Sequence, residues 1–427
     1  METFEKGLTM RQPVINLSEE KEIKVIKYWI RILNIKLGWI HDFDKIVIKY
    51  VSLFYSTAAI YLLLFHKKKK FQANTFIMLD IFRVSSHLLT AFTGHTDFVY
   101  SIDISTFNDC QLICSGSYDK TVRVWDVETS KQIQSFNKHS AWVYCAKFSP
   151  YHYYNHNQNV ICSSSANKTI RFWDFKHNRQ LQEFNGHNKW VGGLEFSPFN
   201  GGRYLCSGSG DNTVRLWDVE TSKPLHVFNG HEYSIWCIDI SPLQSNSNKS
   251  NNIGVIGGNG YTICSGSSDK TIRIWDIETT KQFIAFEGHQ QALNSVKYGS
   301  NELMNTILSG SEDKSVRLWD IRSGKQIQVF NGHTSEVWAV AYSPFVTNNI
   351  DIGEISNVIC SGSRDSTIRF WDIRSNKNSL HLIKDCNGIL CVKFFQLKKD
   401  MKRKSDTVCD VNLCYGSFKG PICIWGY

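Results

Sequence analysis

The residues of this chain that could do chemistry are serines, histidines and aspartates that return in a fixed order. His95, Ser115 and Asp119 precede Trp125. The same order recurs with His187, Ser207, Asp211 and Trp217, and with His231, Ser265, Asp269 and Trp275. It recurs again with His289, Ser309, Asp313 and Trp319, and with His333, Ser361, Asp365 and Trp371. A variant set, His139, Ser163, Asn167 and Trp173, has Asn where the others have Asp. A Ser, His and Asp together are the parts of a hydrolytic triad. The repetition argues against that reading, because a catalytic site is needed once. Hydrogen bonding in a repeated scaffold explains it better. A carboxylate accepts from the imidazole, the imidazole meets the serine, and the indole N–H finds an acceptor. Each charge-assisted bond of this kind contributes about 1.5–3 kcal/mol. We therefore expect no catalytic residues and no enzyme.

Other chemistries lack their signatures. There is no Gly-rich phosphate loop with its Lys and no HExxH, so no cofactor, metal or small-molecule substrate is expected. The chain has 13 cysteines and no CxxC pair. Six of them, Cys114, Cys162, Cys206, Cys264, Cys360 and Cys414, occupy one repeat position. A periodic cysteine inside a strand is a small core residue, and the chain is expected to be cytoplasmic or nuclear, in a reducing compartment. The formal net charge is +9. It is concentrated in residues 1–85, with 14 Lys/Arg against 8 Asp/Glu, and in the run Lys398–Lys404. The remainder is close to neutral, which argues against nucleic acid as a partner.

The elements that position these residues are short strands. In the sixth unit they read VWAVAYS, VICSGS, STIRFWD and KQIQVF, with turn residues between them. Such spacing indicates an all-β fold. A lone four-stranded sheet cannot bury both faces, so the units must stack into a ring. Trp-Asp recurs at Trp125, Trp173, Trp217, Trp275, Trp319 and Trp371, and Trp425 stands at a seventh position. Gly-His recurs upstream at His95, His187, His231, His289 and His333. From about Leu88 to Tyr427 the chain resembles the WD40-repeat family. The resemblance implies a seven-bladed β-propeller over residues 86–427, whose repeated residues build the scaffold. The seventh unit departs from the pattern, with Asp385, Tyr415 and Lys419 at the His, Ser and Asp positions. It ends after a third strand, and HLLTAF before the first Gly-His has the character of a fourth. We expect this N-terminal strand to close the ring, which would hide the edges.

Function on such a scaffold lies in positions that differ from blade to blade. By the resemblance, Tyr100, Tyr144, Trp236 and Trp338 lie near the channel mouth on the top face. Trp142 and Trp190 come from the Gly-His loops, and Tyr118 and Arg364 precede the turn acid. These residue types are enriched at binding hot spots. The expected ligands are proteins or peptides, within a multi-subunit complex. The leading expectation is a non-enzymatic interaction scaffold. Its alternatives are a substrate-recruiting adaptor of a ubiquitin ligase or similar complex, and a membrane-tethered signalling scaffold.

Residues 1–85 read as an N-terminal helical extension with a short hydrophobic segment at about 46–65. Ser18 followed by Glu19, Glu20 and Glu22 is a helix start, and Ile23, Ile26, Ile30, Leu33, Leu37 and Ile40 form a stripe. Tyr50–Phe65 is apolar and is followed by Lys67–Lys70. It is shorter than the roughly 20 residues that span a bilayer. Three readings stay open for 51–72: a membrane segment with the propeller in the cytosol, a buried helix, or an in-frame retained intron. Val51-Ser52 can be encoded by a splice-donor sequence and Phe71-Gln72 by an acceptor.

Overall fold

The computed structural model describes residues 78–107, 110–241, 261–300, 303, 305–344, 358–375, 378–396 and 411–426. The expected N-terminal helix, the hydrophobic segment and the basic run Lys398–Lys404 lie outside these residues. The described chain forms seven four-stranded antiparallel sheets. The fold is the expected seven-bladed β-propeller.

Blade 1 shows how one repeat is built. Its strands are Val99–Phe107, Cys110–Ser117, Val122–Asp126 and Lys131–Phe136, running from the central channel outward. The second strand is buried along almost its whole length, with only Cys110 at its start exposed, because neighbouring blades cover both of its faces. The third strand is largely buried, and the fourth, at the rim, is exposed over its first half and buried only at Phe136. The turn between the second and third strands places Lys120 at φ 70. Equivalent residues Lys168, Asn212, Lys270, Lys314 and Ser366 share this left-handed conformation, and Gly420 takes the place in blade 7.

The core lies between blades. In every blade but the sixth, a Phe at or next to the end of the fourth strand packs against the Trp of the next blade. Phe136 stacks on Trp173 at 5.0 Å, and Phe92, Phe184, Phe228, Phe286 and Phe330 meet Trp125, Trp217, Trp275, Trp319 and Trp371 in tilted or edge-on contacts. The six periodic cysteines are fully buried, and desolvation pushes their thiols up. All twelve described cysteines are free thiols.

Blade 7 consists of Ile389–Gln396, Val411–Ser417 and Ile422–Gly426, with His87–Phe92 paired on its outer side. Helix α1, Met78–Ser85, precedes that strand. Its Leu79 and Phe82 are buried among residues of blades 6 and 7, including Phe370, Ile383 and Leu413. A second helix, α2, Pro150–His156, fills the link between the first two strands of blade 2.

Candidate functional site

The repeated polar residues come together once per blade. In blade 1 the His95 Nδ1–H donates to Asp119 at 2.7 Å, and the Ser115 hydroxyl bonds His95 Nε2 at 2.8 Å. The Trp125 indole N–H donates to Ser115 Oγ at 2.9 Å. Asp119 also accepts from the backbone N–H groups of Thr96 and Thr121 and from the Thr121 hydroxyl. Burial alone would raise this carboxyl, but the bonds from His95 and Thr121 hold it well below the usual carboxylate range. Burial lowers the His95 imidazole, and the Asp119 bond offsets only part of that. The neutral tautomer with hydrogen on Nδ1 fits every bond.

The sets on His187, His231, His289 and His333 have the same connections. Each serine is fully buried. Its oxygen is already held by an imidazole and an indole, so no substrate carbonyl can reach it. The third-strand arginines support the sets. Arg123, Arg273 and Arg317 donate to Gln132, Gln282 and Gln326 on the fourth strand. Glycine before the histidine leaves room for this layer, since a Cβ at Gly94 would sit 2.8 Å from Trp125.

Blade 7 solves the same problem differently. Tyr415 is buried, and burial first, then Cys423 and Asp385, pushes its hydroxyl well above the usual phenol range. The Trp425 indole N–H donates to Ser86 at 2.8 Å instead of to a second-strand serine.

The non-repeated residues gather at the end of the channel that carries the Gly-His loops, here called the top. Tyr100 and Tyr144 are 5.3 Å apart, and Tyr144 also meets Trp190 and Trp236 at 5.4 and 5.8 Å. Trp190 lies 4.2 Å from Trp236, and Tyr118 stacks on Trp142 at 4.1 Å and 18°. Trp338 joins the other side of Tyr100 at 6.2 Å. Arg364 lies over the Phe418 ring and reaches Glu336 at 3.5 Å. All eight expected top-face residues therefore share one surface. Phe98, which sequence reasoning places in the Gly-His loop of the same face, meets Phe418, which it missed: their rings are 4.8 Å apart and join blade 7 to blade 1. The signal for Phe418 was present, because it stands before Lys419 as Tyr118 stands before Asp119.

Below the aromatic layer, the first strands carry charged side chains around the channel. Lys147 donates to both Glu195 oxygens at 2.8 and 2.7 Å, and Lys297 bridges Asp239 at 2.9 Å and Glu195 at 3.3 Å. Lys393 pairs with Asp103. Burial would raise Glu195, but Lys147 and Lys297 overcome it and hold the carboxyl at about 2. Blade 6 contributes Ala341 at this level. Three lysines and three acids cancel, so this belt offers no net attraction to an ion.

Among the described residues no group of His, Cys, Asp or Glu could hold a metal ion, and no helix is long and apolar enough to cross a membrane.

Comparison with known families gives the fold its place. The model of the WD domain, G-beta repeat, matches residues 86–126, 130–174, 178–218, 222–276, 280–320 and 324–372. The chain belongs to the WD40 family. WD40 propellers generally mediate protein interactions. The chain is 38% identical over 63 residues to the mouse (Mus musculus) peroxisomal targeting signal 2 receptor, covering 15% of this chain and 20% of the receptor. It is 45% identical over 47 residues to the ribosome biogenesis protein YTM1 of Scheffersomyces stipitis, 11% of this chain and 10% of that protein. It is 38% identical over 64 residues to the zebrafish (Danio rerio) WD repeat and SOCS box-containing protein 1, 15% of each chain. The aligned stretches span about a fifth or less of these relatives.

Proposed function

We propose that this WD40 protein is a non-enzymatic scaffold that binds partner proteins or peptides through the aromatic top face. One observation carries the reading. Residues from blades 1, 2, 3, 4, 6 and 7 that follow no repeat form one continuous aromatic layer at the channel mouth. A scaffold with no binding task has no need to gather Trp and Tyr there, where they stay partly exposed. Such residues supply large contact area at low entropic cost. The relatives named for a receptor, a biogenesis factor and a SOCS-box protein are consistent with work inside complexes. The alternatives of a ligase adaptor and a membrane-tethered scaffold rest on residues 1–77, outside the described chain.

The test is affinity purification with mass spectrometry, comparing wild type with a Trp236→Ala/Trp338→Ala double variant whose melting temperature has been checked. The expected outcome is loss of specific partners from a folded variant. Retention of the same partners would overturn the assignment of the top face.

A further inference from the structure

We propose that the aromatic surface takes a proline-rich segment of a partner protein, oriented by a basic side chain of that segment against Glu312 and Glu336. This rests on the top face being the binding surface.

The first argument is an imbalance of donors. The hydroxyls of Tyr100, Tyr118 and Tyr144 and the indole N–H of Trp142 and Trp190 have no hydrogen-bond partner among the described residues. Burial pushes the Tyr144 hydroxyl up to about 12, so it stays a neutral donor. Trp236 shows what a satisfied ring looks like here, since its N–H donates to Ser268 at 2.9 Å. Trp338 occupies the same strand position in blade 6, where Arg364 replaces that serine. Its N–H is buried without an acceptor among the described residues. The matching ligand has flat apolar surface, many acceptors and few donors of its own.

A polyproline helix has that composition. Proline has no N–H, the backbone carbonyls make no internal hydrogen bonds and point outward, and the rings pack flat on aromatic faces. Aromatic-lined grooves capture such segments because little conformational entropy is lost. A helical peptide engages its carbonyls with its own backbone N–H groups. A nucleic acid would also stack on the rings, but it needs cations for its phosphates.

The second argument is the charge beside the rings. Glu312 and Glu336 come from adjacent blades at the positions that Tyr118 and Trp142 fill between blades 1 and 2. Burial raises the Glu312 carboxyl, and Glu336 raises it further. Arg364 reaches Glu336, whereas Glu312 has no ion pair among the described residues. An arriving Lys or Arg would relieve this pair and fix the direction in which the segment lies.

The test uses the full chain and fluorescein-labelled peptides of about ten residues, long enough for three polyproline turns. One peptide is proline-rich with two arginines, a second replaces its prolines by alanine, and a third replaces its arginines by glutamate. Fluorescence anisotropy should show the first binding about tenfold or more tighter than either control. Glu312→Gln/Glu336→Gln should erase the preference for arginine over glutamate, and Trp236→Ala/Trp338→Ala should remove binding. Equal binding of the alanine peptide, or no binding of the first, would overturn the proposal. If cellular partners still depend on Trp236 and Trp338 in that case, only the ligand class is wrong. If they do not, the top-face reading falls with it.

Discussion

At the residue scale, one exchange in blade 2 shows what the carboxylate does in the other sets. The Asn167 Oδ1 accepts from the Thr169 N–H and hydroxyl, so its amide must donate to His139 Nδ1, at 3.1 Å. That forces the ring hydrogen onto Nε2, where it points at Ser163 Oγ. Trp173 donates to the same oxygen at 2.7 Å, so the serine proton loses the imidazole as its acceptor. Burial lowers His139 to about 3, helped by Arg171 and opposed weakly by Asn167. Asn167→Asp should restore the tautomer of the other blades and stabilise the chain by about 1 kcal/mol, the difference between a charge-assisted and a neutral bond. Thermal melting checks the sign, and long-range nitrogen NMR of the histidines checks the tautomer. Acid should act in the opposite direction. Lowered histidines bind protons more readily when unfolded, so the unfolded state gains protons as pH falls below about 6.5. The aspartates are also lowered, so their contribution is present above about pH 3.8 and is lost below it. Stability should therefore decline from about pH 6.5 downward, which urea titrations at several pH values would show. A His139→Gln variant should flatten the first part of that decline, since His139 has one of the largest gaps between folded and ordinary values. The partners in these sets could be listed from the sequence because their order repeats. The reversed tautomer could not, because it depends on which way the Asn167 amide faces.

At the element scale, the legible parts were those set by strand periodicity. Each second strand reads as a buried run, and each fourth strand ends in the Phe that packs on the next Trp. Blade 6 breaks this pattern. Its fourth strand, His381–Lys384, is short and offers Ile383 where the other blades have Phe. Helix α1 supplies the missing aromatic, because Phe82 is fully buried and meets Phe370 at 6.0 Å. The reading of residues 1–85 as helical covers Met78–Ser85 but sets no bounds for this helix, since two buried apolar residues over eight positions describe any short helix. Phe82→Ala should cost about 3–5 kcal/mol, as truncation of a buried Phe does. The loss should be felt first between blades 6 and 7. Hydrogen exchange would show this as faster exchange in Thr367–Asp372 and Val411–Ser417 than in the strands of blade 3. Uniform acceleration around the ring would show instead that the blades open only together.

At the scale of the whole molecule, the blades share their stability because none of them owns a complete core. The hydrophobic clusters combine residues of adjacent blades, and side chains of one blade hold edge amides of the next. Asp103 accepts from the Phe148 N–H at 3.0 Å, and Asp239 accepts from the Tyr298 N–H at 2.8 Å. The weak point of such a ring is its seam. There His87–Phe92 pairs with Ile422–Gly426, and Phe92 packs on Trp125 of blade 1 at 5.7 Å. A chain lacking everything before Gly94 would lose the outer strand of blade 7, the acceptor Ser86 for Trp425 and the ring beneath Trp125. It would also expose the Ile422–Gly426 edge to pairing with other chains. If the seam closes the ring, this truncation should lower the melting temperature of every blade together and promote association. Stability in an open array is a sum of local terms, so losses there stay near the end that was cut. Differential scanning calorimetry with hydrogen exchange separates these outcomes. A single transition shifted downward supports closure by the N-terminal strand, whereas exchange confined to blades 7 and 1 would make the ring an array with two ends in contact.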